Sequence, residues 1–245
     1  MDALCDLLFE FSSQERMNIM QSLLKERLKL SQISKNLDMT VSEASRHLQR
    51  LSDIQLIEKD ADGAFGPTPY GRAAVRLLAG LGFVSGNHEY FLEHDVLGLP
   101  DAFVDRIGAI SYANLNTDIV RVLAYVNDMF QEAEEYMWVM SYSYGLPSVI
   151  PIVEERLEND VTLRQIVPED LVQHRGDTVN IFGSWRVLPK LDLRLMITEK
   201  EAMCSLPSLD GKPDYTSFIG KDPRFLSWCK DLYLYYWEKA EPVVF

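Results

Sequence analysis

Residues Ser31 to Thr68, SQISKNLDMTVSEASRHLQRLSDIQLIEKDADGAFGPT, decide the reading of the chain. At their centre, Thr40-Val41-Ser42-Glu43 has the S/T-x-x-E form of a capping box, in which a hydroxyl and a carboxylate satisfy the free amides of a helix start. The spacing predicts a helix opening at Val41. Ala44, Leu48, Leu51 and Ile54 form its buried stripe, and Ser42, Ser45, Arg46, Gln49 and Arg50 lie on the opposite face. Before it, Leu30 to Leu37 predicts a shorter helix that buries Ile33 and Leu37, and Asp38-Met39 supplies the turn. After it, Leu56 to Lys59 and Ala64 to Gly66 flank Asp62-Gly63, a pair that favours the positive backbone angles of a hairpin turn. Helix, turn, helix and hairpin in this order make a winged helix-turn-helix, whose second helix lies in the major groove of DNA.

Working outward, the apolar residues of Leu4 to Leu28 fit two helices, the second capped by Ser12 or Ser13. Thr68-Pro69 is a cap followed by proline at the first helical position, and starts a helix through Tyr70, Ala74, Leu77 and Leu78. The three glycines between Leu77 and Gly86 are read as its end. On this reading Arg46, Gln49 and Arg50 meet base edges or phosphates, beside Thr40, Ser42 and Ser45 at the helix start and Lys35 on the preceding helix. Lys59 in the hairpin either reaches the DNA backbone or minor groove or is an ordinary surface lysine.

A formal net charge of −13 is unusual for a DNA binder, so its distribution matters. Met1 to Val84 holds 10 Lys/Arg against 11 Asp/Glu, which leaves 14 against 26 for the remainder. The reader is therefore nearly neutral, and Lys25, Arg27, Lys29, Lys35, Arg46 and Arg50 make its middle locally basic. No apolar run approaches the roughly 20 residues of a membrane span, and the amino terminus lacks the basic start of a signal peptide, so a cytoplasmic protein without membrane partners is expected. The three cysteines, Cys5, Cys204 and Cys229, form no C-x-x-C pair and are expected to be reduced and mostly buried.

Asn87 to Glu135 reads as helical and connective. His88 and His94 are six apart and so do not share a helix face as i,i+4 metal ligands would; no metal or cofactor is implied. The wholly apolar run Tyr136 to Met140 predicts a central strand covered on both faces. A helix at Leu146 to Leu157 and a strand at Val161 to Val167 follow. Leu191, Leu193, Leu195 and Ile197 alternate with Asp192, Arg194, Met196 and Thr198, a strand pattern, with Glu201 to Leu206 pairing beside it. A helix from Pro223 to Lys239, capped by Asp222, closes the chain with an aromatic-rich face. The expected class is α+β: a winged helix-turn-helix in 1–84, a helical connector in 85–135 and an α/β effector-sensing domain in 136–245.

Three features carry a family resemblance: the helix-turn-helix at Leu30 to Leu56, the segment His94-Asp95-Val96-Leu97-Gly98-Leu99-Pro100 leading to Arg106-Ile107-Gly108, and the Leu193 to Leu206 strand pair before the aromatic helix. Together they resemble archaeal winged-helix, ArsR-like transcriptional regulators of the methanogenesis-regulator type. The resemblance implies a transcription factor with a carboxy-terminal effector domain similar to phospholipase-D-like sensor domains. A working phospholipase-D site needs H-x-K-x4-D, and none of His47, His88, His94 or His174 has lysine two positions on, so no catalytic residue is assigned. Nor is there a G-x-S-x-G elbow, a P-loop or a G-x-G-x-x-G cradle.

The effector is expected in the crevice beyond the carboxyl ends of the parallel strands. Ser141-Tyr142-Ser143-Tyr144-Gly145 follows the first of these strands, and Tyr142, Tyr144, Arg164, Trp185 and Arg194 are the candidate ligand residues. The functional expectation is a homodimeric, sequence-specific regulator that binds double-stranded DNA and responds to a small-molecule effector. The alternative is a winged-helix adaptor that contacts protein rather than DNA.

Overall fold

The computed structural model describes residues 2–96, 98–143, 147–173, 182–212 and 214–243. The chain divides into two compact units, Met1–Ala79 and Gly80–Phe245, with mixed α and β content.

The first unit opens with α1 (Asp2–Phe11) and α2 (Gln14–Lys25), the latter capped by Ser13, whose hydroxyl accepts from the Arg16 amide. A two-residue strand β1 (Leu28–Lys29) precedes α3 (Leu30–Asn36) and α4 (Val41–Asp53). The hairpin β2 (Ile57–Lys59) and β3 (Ala64–Pro67) leads to α5 (Pro69–Gly86). The capping box forms as the sequence requires: Thr40 Oγ1 accepts from the Glu43 amide at 3.2 Å, and Glu43 Oε2 accepts from the Thr40 amide at 2.9 Å. Between α3 and α4, Asp38 takes the left-handed conformation (φ 51°), and the Ser34 hydroxyl donates to the Met39 carbonyl at 2.7 Å. Ile19, Met20 and Leu23 of α2 pack with Ile33 of α3 and with Ala44, Leu48 and Leu51 of α4 in one core.

The sheet is three-stranded, in the order β1-β3-β2, where the sequence suggested a two-stranded hairpin. Leu28 pairs with Phe65 and is buried, so the extra strand both fills the core and satisfies the free edge of β3. Gly63, at φ +80°, closes the turn of the hairpin. α5 ends at Gly86, the last of the three glycines after Leu77, while Gly80 and Gly82 lie within it: a β-carbon at Gly82 would meet nothing within 4 Å, and neither takes a positive φ. They weaken the helix by about 1 kcal/mol each without breaking it. Gly71 is different, because a β-carbon there would lie 2.0 Å from the Leu56 carbonyl oxygen, which also accepts from the Thr68 amide. Gly71→Ala is expected to destabilise the first unit by about 2–3 kcal/mol, read as a lower urea midpoint with an unchanged slope.

The second unit contains α6 (His88–Glu93), α7 (Asp101–Val104), a 3₁₀ turn (Ile107–Tyr112), β4 (Asn114–Asn116), α8 (Ile119–Gln131) and β5 (Tyr136–Met140). It continues through α9 (Ile150–Glu158), β6 (Thr162–Pro168), α10 (Glu169–Gln173), β7 (Ser184–Leu188), β8 (Arg194–Thr198), β9 (Ala202–Ser205), β10 (Ser217–Gly220), α11 (Pro223–Lys239) and β11 (Glu241–Pro242). The eight-stranded sheet runs β11-β7-β6-β5-β8-β9-β10-β4, with β5-β6-β7 parallel and the other pairs antiparallel. β5 alternates between two cores: Trp138 and Met140 pack with Phe225, Trp228, Leu232 and Tyr233 of α11, and Met137 packs with Val122, Val126 and Val153 of α8 and α9. The apolar run therefore reads as it does because both faces are covered.

Residues 85–135, expected as a connector, are built into this unit. Tyr90, Phe103, Ile107 and Ile110 share the core of α11, and Asn114–Asn116 adds an edge strand to the sheet. Val122, Val126, Met129 and Phe130 of α8 are buried in the second core of the same domain. Two boundaries also move. The helix expected from Leu146 begins at Ile150, with proline in its first turn, and the strand expected from Leu191 begins at Arg194, close to where pairing with β5 starts at Leu195.

Candidate nucleic-acid interface

On α4, Ser42, Ser45, Arg46 and Gln49 are exposed, while Ala44, Leu48 and Leu51 point into the core. The capping box is what fixes this orientation, since it sets where the first helical turn begins. Thr40 is itself exposed but is committed to the cap, its hydroxyl also donating to the Glu43 carboxylate at 2.7 Å. These bonds hold the Glu43 carboxyl below its ordinary range. Lys35 is exposed in the last turn of α3. Arg46 has no ion-pair partner among the described residues, which leaves its guanidinium free for a phosphate or a guanine edge.

Two of the other candidates are already engaged. The Gln49 amide donates to Asp53 Oδ1 at 2.6 Å, one helical turn away. Arg50 is half-buried: its Nη2 and Nε lie 2.5 and 3.0 Å from the Glu10 carboxylate, and its guanidinium stacks over the Phe9 ring at 5.1 Å. Glu10 also receives Arg16 Nε at 2.9 Å. The Arg50 hydrogen bond, with help from the Arg16 charge, holds the Glu10 carboxyl below its usual range. Arg50 thus ties α4 to α1, a role its sequence neighbourhood does not reveal because the partner stands 40 residues away. His47, on the same helix, is pushed down by burial and carries a buried Nδ1 with no hydrogen-bond partner among the described residues.

The wing is not basic. Lys59 Nζ lies over the Phe65 ring at 5.4 Å, and Arg27 is taken up by Glu58 at 3.2 Å and Asp60 at 3.1 Å. With Asp62 at the tip, Lys59 is the one wing cation without an acidic partner among the described residues. Of the exposed cations on α3 and α4, Lys35 and Arg46 have no acidic partner among the described residues.

The ligand candidates of the second unit do not converge as a set. Tyr144 lies outside the described residues. Arg164 sits between the rings of Trp138 and Trp237, at 5.2 and 5.3 Å, in the aromatic layer beneath α11. Trp185 is buried in β7, its indole donating to the Phe182 carbonyl at 2.8 Å. Tyr142 and Arg194 do approach one another at the carboxyl end of β5: burial raises the Tyr142 phenol, and the Arg194 charge offsets part of that rise. The Tyr142 hydroxyl donates to the Asp214 carbonyl at 2.8 Å. His94, by contrast, serves the fold, with Nδ1 2.7 Å from the Tyr90 carbonyl and Nε2 2.7 Å from Asp214 Oδ2.

Residues 13–59 match the bacterial regulatory protein family arsR, and residues 119–239 match the middle domain of the methanogenesis regulatory protein FilR1. The chain joins an ArsR-family helix-turn-helix to a FilR1-type middle domain. The ArsR-family segment spans α3, α4 and β2, the elements that present Lys35, Arg46 and Lys59. The FilR1-type domain spans α8 through α11 and so includes Arg194. Both families are regulatory, which supports a DNA-binding transcription regulator. No curated protein sequence matches the chain.

Among solved structures, TrmBL2, an archaeal chromatin protein, is 15% identical over 94% of this chain and 92% of that one, with a TM-score of 0.44. Reduced HlyU from Vibrio cholerae is 26% identical over 33% of this chain and 88% of its own, with a TM-score of 0.29. The phospholipase D family member Nuc from Salmonella typhimurium is 12% identical over 51% of this chain and 89% of its own, with a TM-score of 0.36. No helix among the described residues is long and apolar enough to cross a membrane.

Proposed function

We propose that the chain is a sequence-specific transcriptional regulator that binds double-stranded DNA as a homodimer and responds to a small-molecule effector through its second unit. The observation that carries this reading is α4: an ArsR-family second helix, capped at Thr40, that presents Ser42, Ser45 and Arg46 to solvent, Arg46 having no ion-pair partner among the described residues. Dimerisation is supported by apolar side chains left uncovered. Leu4, Leu8 and Phe9 of α1 are 57%, 41% and 60% exposed, and Leu77 and Leu81, one turn apart on α5, are 80% and 63% exposed. A dimer would set two copies of α4 in successive major grooves about 34 Å apart.

The test is selection of duplexes from a random pool by the full-length protein at near-physiological salt, followed by sequencing. An enriched motif with two-fold symmetry is the expected result; no enrichment by a folded protein overturns the reading. The acid-rich wing favours a second reading, in which the winged helix contacts a protein. The two separate by salt dependence, because phosphate contacts weaken steeply as salt rises.

A further inference from the structure

Arg194 is 3% exposed, yet no carboxylate among the described residues comes within ion-pair distance of it. Its Nη2 lies 3.2 Å from Ser217 Oγ and 3.5 Å from Ser205 Oγ, and its guanidinium carbon stands 4.7 Å over the Tyr215 ring. Its Nε is buried with no hydrogen-bond partner among the described residues. The nearby Asp214 does not serve: Oδ2 is taken by His94 at 2.7 Å and Oδ1 by the Thr216 amide at 2.9 Å. Contrast Arg16, the other buried arginine among the described residues, which has the Glu10 carboxylate at 2.9 Å and two backbone carbonyls at 2.7 and 2.8 Å. Burial holds the Arg194 guanidinium below its ordinary range, the Asp214 charge offsets only part of this, and two long bonds to serine hydroxyls replace little of the lost hydration.

The strand register shows that this is a built arrangement. Arg194 of β8 is paired with Ser205 of β9, and Ser205 and Ser217 of β10 stand side by side, their hydroxyl oxygens 2.7 Å apart. The three polar residues thus form one row across three adjacent strands. That row lies at the carboxyl end of β5, because Leu195 is paired with Met140, and the half-buried Tyr142 and Tyr215 flank it. In open α/β sheets this end of the parallel strands is where ligands settle.

We propose that Arg194, with Ser205 and Ser217, is a binding site for an oxyanion, the carboxylate or phosphate group of a small molecule. Nε and Nη2 of a guanidinium present two parallel N–H bonds that match such a group; the Ser217 hydroxyl donates to the Tyr215 carbonyl at 2.8 Å, so the serine pair positions the guanidinium and the N–H bonds hold the anion. This deepens the reading that the second unit senses an effector, and rests on that reading for its regulatory meaning.

The experiment measures thermal unfolding and calorimetric binding of the full chain in sodium phosphate, in sodium succinate and in sodium chloride at equal ionic strength. The three proteins compared are wild type, Arg194→Met and Arg194→Lys. Wild type is expected to gain several degrees in Tm with phosphate or with succinate relative to chloride, and which of the two acts distinguishes the anion sources. Arg194→Met should show no such gain, and Arg194→Lys should bind at least tenfold more weakly. Unfolding without anion verifies that both variants fold, and Arg194→Met should be no less stable than wild type there. Equal Tm in all three salts, or an undiminished gain in Arg194→Met, overturns the site. DNA binding with and without the active anion then separates the two readings: an anion that binds through Arg194 without changing DNA affinity upholds the site and removes its role as the effector sensor.

Discussion

Replacing Glu10 with glutamine is expected to destabilise the first unit by about 3 kcal/mol, because it takes the charge out of a buried ion pair. The Glu10 side chain is 8% exposed and is shared by Arg16, also 8% exposed, and Arg50, 41% exposed. Glutamine keeps the shape but removes the charge and turns an amide donor toward two guanidinium groups. Arg16 is then a buried cation with only the carbonyls of Phe9 and Glu10 to hold it. The measurement is urea unfolding followed through the amino-terminal transition. Arg50→Ala is expected to lose much less, because Glu10 retains Arg16 and the arginine itself is partly hydrated.

The same carboxylate gives a pH signature. Its pKa is lowered in the folded protein, first by the Arg50 hydrogen bond, so above the unfolded value the ion pair contributes fully. As pH falls below the unfolded value of about 4.3, the unfolded chain takes up protons that the folded one still refuses, and stability declines until pH passes the lowered folded value. Wild type should therefore lose stability in this window more steeply than Glu10→Gln.

The triple replacement of Lys35, Arg46 and Lys59 by alanine should abolish most of the salt dependence of DNA binding. Removing one phosphate-binding cation flattens the plot of log affinity against log salt by about 0.9, so removing three from each protomer of a dimer takes about 5.4 from its slope. Arg46→Ala alone is expected to weaken the selected duplex by about 1–3 kcal/mol and to relax preference at one base position if Arg46 reads a guanine edge. All three side chains are exposed and none has an acidic partner among the described residues, so the folded state should be unaffected. Fluorescence anisotropy at several salt concentrations reads both quantities; an unchanged slope in the triple variant would sink the proposed interface and favour the adaptor reading.

What could be read from the sequence follows the range of the interactions involved. The Thr40 and Glu43 cap, the Asp62-Gly63 turn and the Asp222-capped closing helix depend on neighbours a few residues away, and each stands where its local pattern required. The role of Arg50 depends on Glu10, and its pattern on α4 is indistinguishable from that of Arg46. β4, with the polar sequence Asn114-Leu115-Asn116, carries no strand signal; it exists because β10 offers it an edge. Arg194 is recognisable as a polar residue within an alternating strand, but Ser205 and Ser217 join it only through the register of three strands.

The three cysteines divide the molecule in a useful way. Cys5 is exposed on α1, whereas Cys204 and Cys229 are 0% exposed in the core of the second unit, and burial raises the Cys229 thiol well above its ordinary range. A thiol reagent should therefore react at once with one sulfur and wait for the other two until the eight-stranded sheet opens. The native protein carries its own labelling handle on the reader and its own clock for the unfolding of the second unit, with no engineered residue required for either.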